Sequence, residues 1–199
     1  EQQKRIGAAE FRNTHFSYTM GVDGVEKFVS TPELISENSI GGDPLEPGQI
    51  WTISPGGAEE HPGLYRIEVN EGPGSGVKIL NKPAPPAFHE SINYAEQNLY
   101  ARSMQLVGDK EPRNHEFTIQ LRAFDASKSG EKLGMAALIA MCTSLLKKNV
   151  RGGLIIVGEV ALGGSIEPID NPVSIAEIAV EKGATILLMP VSTRRQLID

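Results

Sequence analysis

The sequence has 199 residues, of which 40% are hydrophobic and 22% are charged, and its formal net charge is −6 at pH 7. This is the composition of a soluble globular protein, and the acidic balance gives no overall attraction to nucleic acid or to an anionic membrane surface. The longest apolar run, residues 135–146, is too short to span a bilayer, so we predict no membrane association.

Cysteine usage and the amino-terminal residues indicate the setting of the chain. The single cysteine, Cys142, cannot form an internal disulfide and fits a reducing compartment, so we expect a cytoplasmic protein. Its place within an apolar helix predicts a buried structural thiol rather than a reactive thiolate. The sequence has no initiator Met and no signal-peptide pattern near residue 1, and we expect it to be part of a longer protein.

The first half of the sequence predicts a connecting segment followed by strands. Residues 1–48 are predicted to connect or pack, and they are compatible with short strands at 15–20 and 25–30. Residues 49–199 are predicted to form the main domain. Its alternating apolar residues predict an antiparallel meander with turns that contain Gly and Pro, made of strands at 49–57, 63–72 and 75–81. Trp51 is expected to be a core or interface aromatic.

The second half alternates helices with strands, which predicts a mixed α/β (α+β) fold. A helix over 89–108 has one face made of Ile92, Ala95, Leu99, Ser103 and Leu106. Two strands within 152–169 are predicted to flank a turn at Gly163–Gly164. The remaining predicted elements are a strand at 115–124, helices at 133–148 and 172–183, a buried strand at 184–190, and a helix capped by Ser192.

Nucleotide and metal motifs are missing from the sequence. The Gly-rich stretches at 71–78 and 127–134 lack the spacing with which a P-loop surrounds phosphates, so we expect no ATP site in this chain. The four histidines are scattered without a metal-ligand spacing, which predicts no zinc site; they are His15, His61, His89 and His115. The basic residues near two predicted helices are interpreted as solvated helix ends; they are Lys147, Lys148, Arg151, Arg194 and Arg195.

Three segments together resemble the proteolytic domain of Lon proteases. They are "IAMCTSLL", "GLIIVGEVALGGSIEPI" and "ATILLMPVSTRRQL", in the order in which the family has them. Upstream, "GQIWTISPGG" and "FHESINYAEQNLYARS" are similar to the first strands and a helix of that domain. The resemblance covers roughly residues 48–199. It implies a Lon-like mixed sheet with packed helices.

The resemblance implies that the catalytic pair of the family is missing. Lon proteases use a Ser nucleophile and a Lys base. Matching the segments places the Ser position at Ala136 and the Lys position at Val173, and neither side chain can take the family's role. Natural loss of the pair, an engineered Ala136 in a divergent enzyme and a misplaced match all stay open. Replacement nucleophiles to consider are Ser127, Ser129 and Ser174, although loop or helix-end roles explain each of them.

Within this wider family, "DASKSGEKLGMAALIAMC" resembles the Lon-like proteins of bacterial BREX phage-defence systems. This resemblance implies an oligomerisation and interaction module of an ATPase ring. ATP and Mg²⁺ would then bind an amino-terminal module outside this chain, and DNA would be bound through the longer protein. Self-association into a ring is the expected partnership. The alternative is an active ATP-dependent serine protease that hydrolyses peptide bonds, in which Ala136 is an engineered substitution.

Overall fold

A computed structural model describes residues 40–56, 61–124 and 130–198, together with two strands before residue 40. The chain divides into two compact units, residues 1–39 and 40–199. In the first unit, β1 (Thr14–Met20) pairs antiparallel with β2 (Glu26–Pro32), and this confirms both strands suggested there. The predicted domain boundary between residues 48 and 49 stays a prediction.

A mixed six-stranded sheet forms the centre of the second unit, which confirms the predicted α/β class. Its strands are β3 (Gln49–Ser54), β4 (Gly63–Pro73), β5 (Gly76–Ile79), β6 (His115–Ala123), β7 (Leu154–Ile156) and β10 (Ile186–Leu188). Their order is β10-β7-β3-β4-β6-β5, with antiparallel pairs on both sides of β4. A separate hairpin joins β8 (Glu159–Val160) to β9 (Ile166–Glu167).

Five α-helices and two short 3-10 turns complete the described part of this unit. The helices are α1 (Pro86–Ala101), α2 (Ser103–Val107), α3 (Gly134–Leu146), α4 (Pro172–Glu181) and α5 (Arg194–Ile198). The 3-10 turns are Pro112–Asn114 and Val191–Thr193. None of the helices in the described residues has the length and apolar character needed to cross a membrane.

The two faces of the sheet contribute to two apolar cores because side chains alternate along each strand. On one face, Ile50 and Ile67 pack in a core with buried residues of α1 and α3. On the other face, Trp51 and Ile53 pack in a core with Ile175 of α4. Of the two roles predicted for Trp51, core or interface aromatic, the structure shows the core role. These cores fix the amino-terminal ends of α3 and α4, which carry the predicted dyad positions.

The predicted antiparallel meander is wrong for its third strand. β5 does not pair with β4, because β6 lies between them and pairs antiparallel with β4 and parallel with β5. The ladder between β4 and β6 runs through nine residue pairs, from Tyr65 with Ala123 to Pro73 with His115. β5 has four residues and could form only a short ladder with β4. β4 therefore forms its longer ladder with β6.

The helix predicted over 89–108 is interrupted at Arg102. Arg102 leaves helical geometry, with φ −120° and ψ 24°, and separates α1 from α2. Its guanidinium donates to Asn98 Oδ1 at 2.8 Å and to the carbonyl oxygen of Gly163 at 2.5 Å. The predicted apolar face is buried at Ile92 and Leu99. It weakens beyond the interruption, where Leu106 is only partly buried.

The carboxy-terminal elements confirm the predicted turn and correct three details. Gly163 and Gly164 connect β8 to β9 as predicted, but the upstream strand divides at Gly158 into β7 and β8. The predicted buried strand at 184–190 is β10, whose edge position leaves Leu188 half exposed. Ser192 is not a helix cap, because it lies within the 3-10 turn that precedes α5.

Candidate functional site

Ala136 lies in the first turn of α3 and belongs to the core of the domain. Its side chain is completely buried among the residues that α1 and α3 contribute to that core. The apolar run that the sequence predicted as a helix places it there, because α3 is buried along most of its length. A buried methyl group has neither an attacking oxygen nor an opening to solvent, so position 136 performs no nucleophilic chemistry in this state.

A buried polar pair lies beside the start of α3. Ser91 of α1 donates its hydroxyl hydrogen to Glu159 Oε2 of β8 at an O–O distance of 2.5 Å. The same hydroxyl oxygen accepts the backbone N–H of Leu133 at 3.2 Å, and Glu159 Oε1 accepts the N–H of Val160 at 2.8 Å. These bonds connect α1, the residue before α3 and β8. Buried polar groups need such partners, and here all of these have them.

The pair brings a serine beside a carboxyl group, and both side chains are almost completely buried. Ser91 is 1% exposed and Glu159 is 5% exposed. The Ser91 oxygen also accepts the backbone N–H of Leu133, which fixes the hydroxyl beside the start of α3. A nucleophile must be able to approach a substrate carbonyl to react. With 1% of its surface exposed, Ser91 has little access to a substrate carbonyl, and the bonds of the pair connect α1, the start of α3 and β8.

Close packing between α3 and β8 explains the glycine that begins α3. A Cβ atom built on Gly134 would lie 1.8 Å from Glu159 Oε1, far inside van der Waals contact. Glycine leaves room for the carboxylate at this point. The backbone N–H of Met135 donates to the carbonyl oxygen of Gly158 at 3.1 Å and fixes the same approach. Ser91 of α1, Glu159 of β8 and the Gly158 carbonyl between β7 and β8 thus determine how α3 starts.

The environment of Glu159 favours its neutral form. Burial raises the pKa of this carboxyl above its ordinary value, and the neighbouring carboxylates of Glu167 and Glu90 raise the pKa further. The hydrogen bonds from Ser91 and Val160 act in the opposite direction and lower the pKa, but burial is the largest cause. The start of α3 therefore packs against a carboxyl group whose protonated form is favoured by burial.

A pocket of about 230 Å³, lined in part by Ser91 and Glu159, opens between α1, the segment before α3 and the β8–β9 hairpin. Its lining is strongly acidic and includes Glu90, Glu131, Glu159 and Glu167, and among the described residues Lys132 is its one cation. Lys132 Nζ lies 3.1 Å from Asp170 Oδ2, which offsets its charge. This lining disfavours anionic ligands. In residues 40–56, 61–124 and 130–198, no group of three or more His, Cys, Asp or Glu side chains is arranged to hold a metal ion.

Val173 lies in a different environment, on the first turn of α4. Its side chain is half exposed and lines an apolar groove of about 540 Å³ between α4 and α5. The groove also contains Ala176, Val180 and Leu197. An isopropyl group cannot accept a proton, so this position supplies no base. The neighbouring Ser174 is exposed in the same helical turn, whereas Ser127 and Ser129 lie outside the described residues.

The remaining candidate side chains lie in the core, in a cluster of charged groups or on the surface. Cys142 is buried, as predicted, and burial raises the pKa of its thiol to about 11, which disfavours the thiolate. His115 Nδ1 lies 2.5 Å from Glu71 Oε1, and Lys147 Nζ lies 2.5 Å from Glu71 Oε2. His61 and His89 are exposed. The side chain of His15 lies outside the described residues.

The basic residues are exposed, as predicted, but the two arginines of α5 do not lie at the carboxyl end of a helix. Lys147 and Lys148 follow the carboxyl end of α3, where cations are favoured, and Arg151 is exposed beyond them. Arg194 and Arg195 are exposed as well, but they open the short helix α5 instead of ending a helix. The macrodipole argument therefore does not explain the arginine pair.

Comparison with known proteins identifies the relatives of this arrangement. A family model described as subunit ChlI of Mg-chelatase matches residues 93–193, just over half of the chain. The chain belongs to this family. The match runs from the middle of α1 through the 3-10 turn before α5, so it includes Ala136, Glu159 and Val173.

Curated relatives of this ChlI-family chain are Lon-like. The "Lon-like protease BrxL" of Escherichia coli O9:H4 (strain HS) is 29% identical over 199 residues, or 97% of this chain. The protein of the same name from Bacillus cereus (strain H3081.97) is 26% identical over 96% of this chain. The "Lon protease" of Endomicrobium trichonymphae is 25% identical over 99% of it. The resemblance to Lon proteases and to their Lon-like relatives is therefore confirmed as homology.

The chain matches only a part of these relatives. It spans 28% of the length of each of the two Lon-like proteases named BrxL and 24% of the Lon protease. The homology therefore concerns about a quarter of the length of each of these relatives.

Proposed function

We propose that this chain is a Lon-like domain without a Ser–Lys dyad that serves as an oligomerisation and interaction module of a ring-forming ATPase in phage defence. The observation that supports this most is the contrast between an intact fold and two apolar side chains at the dyad positions. Ala136 is buried in the core, and Val173 lines an apolar surface groove. Function depends on sites, so a fold can outlast its chemistry.

The proposal assigns the remaining activities to other parts of a longer protein. ATP and Mg²⁺ would bind an ATPase module amino-terminal to this region, and DNA would be bound through that longer protein. This chain would contribute contacts between copies, which require complementary surfaces and no dyad. A cytoplasmic location fits the single buried thiol.

A second candidate function is ATP-dependent serine proteolysis, with Ala136 an engineered substitution. The names of the relatives favour it, because they include "Lon-like protease BrxL" and "Lon protease". Under this alternative, the natural residue at 136 would be the nucleophile, and a base other than Val173 would be needed. The two candidates make opposite predictions for peptide hydrolysis.

Peptidase assays of this chain and of the longer protein, with and without ATP, test the proposal. We expect no cleavage of casein or a fluorogenic peptide by the unaltered proteins, while an active Lon protease in parallel wells cleaves both. We also expect none from Ala136→Ser/Val173→Lys, because a serine at a fully buried position directs its hydroxyl into the core. An unpaired buried hydroxyl costs roughly 1–3 kcal/mol, so thermal unfolding must confirm that the variant is folded.

Each assay outcome has a definite reading. ATP-stimulated cleavage by an unaltered protein would refute the dyad-free proposal and make the serines at other positions the next targets. Cleavage that appears only with Ala136→Ser would favour the second candidate. Cleavage that needs both substitutions would confirm the two dyad positions and show that a substrate cleft has survived.

A further inference from the structure

The surface formed by α4 and α5 carries exposed apolar side chains. Packing against the core explains only one side of α4. One side of α4 packs inward through Ile175 and Ala179, which are buried. The opposite side presents Val173 at 49% exposure and Val180 at 76% exposure to solvent. Leu197 of α5 completes the groove with 42% exposure. A helix that is apolar on two sides is typical of one with contacts on both.

The rim of this groove is acidic. The two charged residues that line it are Glu177 and Glu181, which are four positions apart and therefore lie on one side of α4. Both are exposed, and within the described residues neither makes an ion pair. An apolar floor with two unpaired carboxylates fits a partner that brings apolar side chains together with cations.

The segment next to the groove has that chemistry. Val191 is 86% exposed and Ile198 is 70% exposed, and between them lie the exposed side chains of Arg194 and Arg195. In the described part of the chain, neither arginine forms an ion pair. The groove and the neighbouring segment 191–198 are together called the α4–α5 patch. This patch combines exposed apolar side chains with two charges of each sign. A patch that carries both halves of a complementary pair suits a two-fold contact between identical chains.

We propose that two copies of this chain associate through this patch, with α5 of each copy lying in the α4–α5 groove of the other. Val191 and Ile198 enter the apolar floor, and Arg194 and Arg195 face Glu177 and Glu181 of the opposite copy. The contact deepens the proposed function, since it rests on self-association as the role of the domain. It is distinct from the head-to-tail contact that closes a ring, because an isologous contact ends at two copies.

Sedimentation velocity of the chain from about 1 µM to 1 mM tests the contact, a range that covers weak to moderate dimers. Two charge-reversal variants are compared with the unaltered chain: Arg194→Glu/Arg195→Glu and Glu177→Arg/Glu181→Arg. In each variant, like charges face each other across the contact, and we expect at least about tenfold weaker dimerisation. All four side chains are exposed, so the unfolding midpoint is expected to stay unchanged.

Mixing the two variants gives the decisive result. In a mixed dimer, both contacts again join opposite charges, so we expect dimer formation to return to about the level of the unaltered chain. Lys148→Glu/Arg151→Glu makes the same charge change at exposed positions that do not line the groove, and it is expected to leave dimerisation unaltered. Val180→Asp, which places a carboxylate in the apolar floor, should weaken the dimer as strongly as a reversal.

The outcomes separate this inference from the proposed function. Self-association that none of the α4 and α5 substitutions weakens would overturn the inference and leave the assembly role standing through another surface. Weakening by both reversals without recovery in the mixture would also overturn it, because another partner surface would be indicated. If both the unaltered chain and the longer protein are monomeric over this range, the inference and the assembly role both fail.

Discussion

The start of α3 and the α4–α5 groove contain the two predicted dyad positions, yet they differ in almost every physical respect. Around Ala136 the side chains are buried, the polar atoms of Ser91 and Glu159 are bonded, and a glycine is required by close packing. Around Val173 the apolar side chains are exposed, and in the described part of the chain Glu177 and Glu181 make no ion pair. Position 136 is buried in the core, whereas position 173 is exposed to solvent. Substitutions in the first region should change stability, and those in the second should change association.

The largest effect is expected for Gly134→Ala. Alanine favours a helix over glycine by about 1 kcal/mol, but its methyl group would lie 1.8 Å from Glu159 Oε1. Because that carboxylate is buried and held by two hydrogen bonds, the clash outweighs the propensity gain, and we expect a net loss of roughly 2–3 kcal/mol. Urea denaturation measures the free energy of unfolding.

Gly163→Ala is the matched control for this substitution. No atom lies within 4 Å of a Cβ at Gly163, so its free energy of unfolding should change by less than about 0.5 kcal/mol. Equal stability of Gly134→Ala and the unaltered chain would contradict the packing argument.

A smaller loss is expected for Ser91→Ala. The substitution removes the donor to Glu159 Oε2 and the acceptor for the N–H of Leu133, both in a buried setting. Unsatisfied buried groups cost about 1–3 kcal/mol, and we expect about 2 kcal/mol in chemical denaturation. Ser174→Ala, in the exposed first turn of α4, should stay within about 0.5 kcal/mol. Comparable losses in the two variants would remove the distinction between the two regions.

The pH dependence of Glu159→Gln sharpens the comparison further. The pKa of Glu159 is raised in the folded chain above its ordinary value of 4.5. Between these two pKa values the folded state binds more protons than the unfolded state, so this group makes the free energy of unfolding fall as pH rises. Glutamine does not titrate. The variant should therefore gain stability relative to the unaltered chain as pH rises above about 4.5.

Glu71→Gln provides a control of opposite sign. The Lys147 ammonium, foremost, and His115 lower the pKa of Glu71, so its contribution to stability is lost as pH falls. The Glu71→Gln variant should therefore lose stability relative to the unaltered chain as pH rises towards about 4.5, and the difference should stay constant above that pH. Denaturation measured from about pH 2.5 to pH 8 covers both windows, and parallel curves for the two variants would contradict these assignments.

Local patterns predicted much of this fold. The apolar run of α3 and the Gly163–Gly164 turn are visible within a few residues of sequence, and both are confirmed. The insertion of β6 between β4 and β5 depends on pairing between distant residues, and the interruption of α1 depends on Arg102 reaching Gly163. Neither depends on neighbours in sequence, so periodicity could not reveal them.

The candidate site was predictable only in part. The resemblance to Lon proteases selected positions 136 and 173 by segment, and their assignment as the dyad stays a prediction. Ser91 and Glu159 were missed, although both lie within segments that carry the resemblance. They are 68 positions apart, and only the folded chain shows that a serine on one helix satisfies a carboxyl group beside another.

The bond from Arg102 to the β8–β9 turn has a practical consequence for protein engineering. A glycine-rich hairpin tip is a usual place to insert a fluorescent tag or an affinity peptide. Here the carbonyl of Gly163 holds the arginine that separates α1 from α2, and the arginine fills the space beside Gly164. Lengthening this hairpin would disturb two helices. The turn before β5 is the better insertion point for labelling the domain, because a Cβ at Gly76, the first residue of β5, would have open space around it.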